Sequence, residues 1–491
     1  MRAVQNPQMM FGVTDISAIV LNPKSRDDIP YLLRGLQHIY CEPELRQRVF
    51  EILAEVLPRG TNGPADPNNG RPGMPQWTIL VLGIIRLGLN ADFDRIHELA
   101  NEHKTLRMMI GLGGWSDPTK FDLQTLKDNV QLFTPEILDR INQVVVAAGH
   151  KTLKKSPEEG LSARCDSFVV ETNVHYPTDT NLLFDAIRKT IQICAELSSD
   201  FGLTEWRQSA YNIQQFKRSY RKIQKLKHST AIDEKRRLLK QDEIDQAHRD
   251  YLELAESYLV RARATRLTVL MKPETGLLEP LDTFIGHAER QIDQIRRRVL
   301  LGETIPHEEK VFSLFQPHTE WISKGKAGVP VELGMRVCVV EDQFQFIISH
   351  QVMEKQTDDA IAVPITQATL DRFPTLAAMS FDKGFHSPSN QIELAALIDR
   401  VVLPKKGRLS SVEKQRQSEP EFIDLRRQHS AVESAINALE SHGLDRCPDH
   451  GIGGFKRYVA LAVLARNVQR LGVVLWQQKE NQRRGPYRKA A

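Results

Sequence analysis

Apolar residues recur at three- and four-residue steps from about Pro30 to Leu57, through Leu32, Leu33, Leu36, Ile39, Tyr40, Leu45, Val49, Leu53 and Val56. That is the period of a helix with one buried face. A stretch dense in Gly, Pro and Asn follows, from Pro58-Arg59-Gly60 to Gly70-Arg71-Pro72-Gly73, and reads as a loop. Helical patterns resume over about 76–89, 92–109 and 134–148, with Asp92 or Asp94 placed to cap the second. The first third of the chain therefore predicts an all-α module.

The pattern changes at 161–172, where a β-favouring run predicts a strand. Pro177-Thr178-Asp179 then supplies a turn and an N-cap for a helix over about 181–197. From there to about Arg298 the chain is almost continuously helical and rich in charge, which predicts an antiparallel helical insertion. Strand character returns at 311–314, 334–341 and 345–352, the last two as a hairpin turning near Asp342-Gln343. A helix at about 365–373, a strand at 376–381, a helix at 388–397 and a strand at 400–404 follow. A polar loop over 405–420 leads to a long helix at 422–439, a turn with Gly and Pro, and a last helix at 455–477. The basic end of the chain predicts a disordered tail. The expected fold class is α/β: a mixed sheet interrupted by a long helical insertion, with the all-α module in front.

Composition adds bounds. At 491 residues the chain is too long for one simple core, so several domains are expected. The net charge of +4 is too small to argue for nucleic acid by itself, so the distribution of charge matters more. It is uneven: 208–240 carries Lys217, Arg218, Arg221, Lys222, Lys225, Lys227, Lys235, Arg236, Arg237 and Lys240 against only Asp233 and Glu234. The five cysteines form no C-x-x-C pair, and an odd number suits reduced thiols in a cytosol. The start of the chain lacks a basic segment followed by an apolar one, so no signal peptide is expected. The most apolar window, 77–89, contains Arg86 and is too short to span a bilayer. A soluble intracellular protein without a membrane partner is expected.

Three acids carry the candidate chemistry. Asp166 lies on the first strand, Asp382 at the end of a later one, and Glu433 on a helix whose apolar stripe is Val432, Ala435, Ile436 and Leu439. Arg426, His429, Glu433, Asn437 and Glu440 fall on another face of that helix, so Glu440 is an alternative third acid. Burying three carboxylates together is costly unless cations neutralise them. Converged, they would hold a pair of hard divalent cations able to clamp the attacking and leaving oxygens of a phosphodiester. Taken singly each acid has a plainer role, as a turn former, helix cap or solvated residue, and Asp358 and Asp359 read as an N-cap.

The run from Asp166-Ser167-Phe168-Val169-Val170-Glu171-Thr172-Asn173 to Tyr176-Pro177-Thr178-Asp179 resembles the first-aspartate motif of bacterial insertion-sequence transposases of the DDE type (ISNCY-like). Phe315-Gln316-Pro317-His318-Thr319-Glu320, with Lys324-Gly325-Lys326 and Glu332-Leu333-Gly334, is similar to their lead into the middle strands. Asp382-Lys383-Gly384-Phe385-His386-Ser387 resembles their second-aspartate motif, and 429–445 their glutamate helix, 51 residues on (433 − 382 = 51). Ala465-Arg466-Asn467-Val468 and the Gly70-Arg71-Pro72 region also match. The long helical insertion departs from many relatives.

The resemblance implies an RNase H-like core in which Asp166, Asp382 and Glu433 are catalytic and bind Mg²⁺ or Mn²⁺, two ions together. It implies cleavage at an element's ends and joining of the freed 3′-hydroxyl to target DNA. Expected partners are double-stranded DNA, as terminal inverted repeats and target, and a second copy of the chain as a homodimer on DNA. The expected location is the bacterial cytoplasm, on the nucleoid. Lys383, beside Asp382, reads either as a phosphate contact or as a plain surface lysine, and Lys217, Arg218, Arg221, Lys222 and Lys225 form a candidate DNA-binding face. The other reading of that face is a solvated helical arm. The expected divisions are 1–150 helical module, 151–200 first part of the core, 201–305 basic insertion, 306–478 second part and 479–491 tail. Two alternative functions remain on the same fold: a structure-specific nuclease, or a DNA-binding protein without chemistry.

Overall fold

The computed structural model describes all residues except 1–2, 6–12, 57–58, 61–62, 65–72, 114–116, 157–158, 227–232, 271–275, 324–330 and 485–491. Gly70-Arg71-Pro72, Lys324-Gly325-Lys326 and most of the expected tail lie outside the described residues. In chain order the helices before the sheet are α1 (Ile29–Cys41), α2 (Pro43–Ala54), α3 (Gln76–Gly88), α4 (Phe93–Glu102), α5 (Lys104–Met109), α6 (Leu123–Val130) and α7 (Pro135–Thr152). A two-residue pair, β1 (Arg59–Gly60) with β2 (Gly63–Pro64), sits between α2 and α3. The single helical patterns at 30–57 and 92–109 each break in two. Pro43 opens α2, where its missing N–H costs nothing, and His103 caps α5 by accepting from Leu106 N.

One mixed sheet of seven strands follows. β3 (Leu161–Thr172) is its centre, with β4 (Glu320–Ser323), β5 (Val331–Asp342), β6 (Ile347–Met353), β7 (Leu376–Phe381), β8 (Arg400–Val402) and β9 (Arg446–Cys447) around it. β5 runs antiparallel to β3, and β4 and β6 both run antiparallel to β5. β7 and β9 run parallel to β3, and β8 parallel to β7. The expected strand at 311–314 does not form; β4 supplies the edge instead. The hairpin turns where expected, because the buried Asp342 carboxylate accepts from Phe344 N and Phe346 N at 2.8 and 2.9 Å.

Between β6 and the chain's end lie α12 (Asp358–Arg372), α13 (Pro388–Leu397), α14 (Ser411–Gln417), α15 (Pro420–His429), α16 (Ala431–Leu439) and α17 (Gly451–Arg484). α14 occupies the stretch expected as a polar loop. α17 continues through 479–484, into the expected tail. It is long and apolar enough to cross a membrane, but 72% of its apolar window is buried inside the protein.

Two compact units result: Met1–Asn173 with Glu320–Ala491, and Val174–Thr319. In the first, Leu32, Ile79, Leu82 and Val145 of the leading helices share one apolar cluster with Val170, Val337 and Phe381 of the sheet and Leu461 and Leu464 of α17. The all-α module is thus part of the same core as the sheet. α1 and α17 cross backbone to backbone: a Cβ on Gly35 would lie 2.3 Å from Val468 O, and one on Gly472 2.0 Å from Tyr31 O. Asn467 of α17 locks the sheet in place, accepting from Ile347 N (2.9 Å) and donating to Ile347 O (2.8 Å) and Asn142 Oδ1 (2.7 Å), all buried.

The second unit contains α8 (Asp179–Asp200), α9 (Ser209–Lys225), α10 (Glu234–Leu270) and α11 (Leu278–Ile295). Leu183, Ile187, Ile191 and Cys194 of α8 pack with Phe216, Tyr251, Ala255 and Ile285 in a separate apolar cluster. α8 therefore belongs with the inserted helices, and the boundary falls at 173/174 rather than at 200/201.

Candidate functional site

The site is built by strand direction. β6 and β7 both run parallel to β3, so the chain leaving either one emerges at the same end of the sheet. Parallel pairing of β3 with β7 ends at Cys165↔Phe381. The next residue on each chain is an aspartate, which puts Asp166 and Asp382 side by side, about 5 Å apart across the ladder. Side chains alternate along a strand, so Arg164 and Asp166 share one face with Ser380, the register partner of Arg164 on β7.

That face is met by the α15–α16 segment. The expected single helix over 422–439 is broken at Ser430, and Glu433 sits in the first turn of α16, where the helix dipole favours a negative charge. His429 ends α15, with its Nδ1 3.0 Å from Ser380 Oγ. Burial pushes the His429 imidazole down, against the upward pull of the Asp382 and Glu433 charges.

Asp166 records how the acids are gathered. Burial first, then the charges of Asp382, Asp358 and Glu433, push its carboxyl from an ordinary 3.8 to about 6, against a hydrogen bond from Ser167 N. Glu433 is thus the helix acid whose charge reaches Asp166. Glu440 lies two turns on, about 10 Å along the helix axis, at the start of a π turn. Asp382 and Glu433 are exposed, and Asp166 is half-buried. Lys383 is exposed beside Asp382.

Asp358 is a fourth carboxylate that the sequence reading assigned to a helix cap. It is the first residue of α12, and no side chain caps that helix. Its Oδ1 accepts from Ser167 Oγ at 2.6 Å. A Cβ on Gly384 would lie 3.0 Å from its Oδ2, which places it against the loop that follows Asp382. The signal that could have found it is topological: it opens the helix after a strand running the same way as β7.

Among the described residues none of the four carboxylates has a Lys, Arg or His partner within 4.0 Å. Also among them, no three His, Cys, Asp or Glu side chains are close enough to hold an ion as they stand. The oxygens are turned toward neighbouring donors instead: Asp166 to Ser167 N, Asp358 to Ser167 Oγ, and Asp382 to Gly384 N. By its chemistry, an all-carboxylate set with uncompensated charge suits a hard oxygen-seeking cation.

The expected DNA-binding residues are in the second unit. Lys217, Arg218, Arg221, Lys222 and Lys225 are all exposed on α9, which contains no acid. Phe216 and Ile223 face inward on that helix. Lys222 is paired, 3.2 Å from Asp250. Tyr220 stacks on Phe184 at 5.3 Å and serves the unit's own packing; Tyr211 stays exposed.

With this geometry in view, the chain was compared with protein families, curated proteins and solved structures, and none matches.

Proposed function

We propose that this protein is a DNA transposase of the DDE type, with an RNase H-like core, cutting at the ends of an insertion sequence and joining the freed 3′-hydroxyl to target DNA. The observation that carries the reading is the β3–β7 register, which sets Asp166 beside Asp382 where β7 ends, with the Glu433 charge reaching Asp166. The motif resemblances suggest the substrate, and the closeness of the acids supports two-ion phosphodiester chemistry.

Asp166, Asp382 and Glu433 would hold Mg²⁺ or Mn²⁺, with Asp358 adding a fourth negative charge. When bound, two such ions activate the attacking oxygen and stabilise the leaving one. The protein's own part is to aim the carboxylates. Ser167 fixes Asp358 by its hydroxyl. Ser380 fixes the ring of His429, which burial keeps neutral near neutral pH. Lys383 would contact a phosphate of the DNA strand, and the α9 face would bind duplex backbone without reading bases.

The test is a strand-cleavage and joining assay on duplexes carrying the element's terminal repeats, with Mg²⁺ or Mn²⁺. The expected products are a 3′-hydroxyl end and its covalent joint to target DNA. Cutting without joining would indicate the nuclease. DNA binding without either reaction would indicate a protein that keeps only the shape.

A further inference from the structure

Glu433 comes from a short helix that begins only at Ala431, so its place over the sheet depends on where α15 stops. Two sheet side chains hold that end. Arg164, two residues before Asp166 on the same face, donates to Gln428 O at 3.4 Å and to Asp342 O at 3.0 Å. Its guanidinium also lies 3.4 Å from Oε2 of Glu341, a carboxyl only 2% exposed on the neighbouring strand, which burial pushes up to about 7 against the pull of Arg164. Beside it, Ser380 holds His429. Gln428 O is one of the last carbonyls of α15, where it also accepts from the C-cap Ser430 N, and a cation at that terminus is favoured. Both contacts fall on the two residues just before the break at Ser430.

We propose that Arg164, backed by Glu341, is a positioning residue: a strut that fixes the α15–α16 break and so holds Glu433 opposite Asp166. The inference rests on the metal-site reading above. Its two carbonyl acceptors lie on a helix and on β5, with the Glu341 carboxyl beside them on the same strand, and a planar five-donor guanidinium spans them; a lysine ammonium, a compact point charge on a flexible stem, does not. Arg164 acts through Glu433 and needs no contact with DNA.

The experiment titrates the full-length protein with Mn²⁺ by calorimetry and measures amide hydrogen exchange over 424–436. It compares wild type, Arg164→Met and Arg164→Lys, each with and without Glu433→Gln. Arg164→Met should weaken Mn²⁺ binding about tenfold, the scale for residues that orient metal ligands, and speed exchange at Gln428 to Glu433. Arg164→Lys should fall between. In the Glu433→Gln background neither substitution should weaken binding further, because coupling is lost once the residue it acts through is gone. Unchanged Mn²⁺ affinity in Arg164→Met overturns the strut, as does an equal loss in both backgrounds. Should Arg164→Met fail to fold, Arg164→Lys decides by the same two criteria. If wild-type Mn²⁺ affinity ignores Glu433→Gln, the site reading falls together with the strut; if only the Arg164 variants are silent, the strut alone falls.

Discussion

Asp166 shows what gathering like charges costs. Its carboxyl titrates near 6 because burial and three neighbouring acids disfavour the anion. A folded-state value raised above the ordinary 3.8 means stability that is fully present below about pH 3.8 and lost as pH rises through about 6. In chelator at pH 7.5, Asp166→Asn should therefore be more stable than wild type, by about 2 kcal/mol on the scale of 1.36 kcal/mol per unit, reduced for screening. The gain should vanish near pH 3.8; denaturant titrations at the two pH values measure it. A wild type that is the more stable form at pH 7.5 would remove the crowded-carboxylate account. Asp358→Asn should weaken Mn²⁺ binding roughly tenfold, read by calorimetry, while leaving the fold intact. Asp166, Asp382 and Glu433 could be picked from sequence because each sits on or beside a legible strand or helix. Asp358 could not. Acids in a first helical turn are common for reasons of dipole alone, and only the parallel course of β6 and β7 brings this one to the groove.

At the scale of elements, α9 separates two readings of a basic helix. Its inward positions, Phe216 and Ile223, satisfy the packing, so the basic side chains are not needed to hold the unit together. Replacing Lys217, Arg221 and Lys225 with alanine should weaken duplex binding for all sequences. It should also flatten the salt dependence by about one unit of slope per lost phosphate contact. Unchanged affinity and slope, by fluorescence anisotropy across a salt series, would assign the helix to contacts between protein subunits instead. Elements with strong local patterns, β3, β7 and α13, end in the structure where periodicity put them. The break at Ser430 was not legible, since α15 and α16 are each helical and only Arg164 and Ser380, distant in sequence, mark the joint. The strand at 311–314 was an overreading of a short apolar run that has no ladder partner.

For the whole molecule, one core joins the leading helices, the sheet and α17. A succession of helical patterns made the first 150 residues look separable; the close approach at Gly35 and Gly472 and the buried amides of Asn142 and Asn467 are tertiary facts with no local pattern. Asn467→Leu should cost roughly 2–4 kcal/mol, by denaturant titration, because it takes their Asn467 partner from Asn142 Oδ1 and Ile347 N, both buried. A loss under 0.5 kcal/mol would show that the cluster does not lock α17 to the sheet. The central claim is that acids from β3, β7 and α16, far apart in the chain, make one cation site. Calorimetric titration of the full-length protein with Mn²⁺ at pH 7.5 tests it most directly. Wild type should bind, and Asp166→Asn, Asp382→Asn and Glu433→Gln should each lower the affinity at least tenfold while duplex binding persists. Mn²⁺ affinity unchanged in all three variants would contradict it.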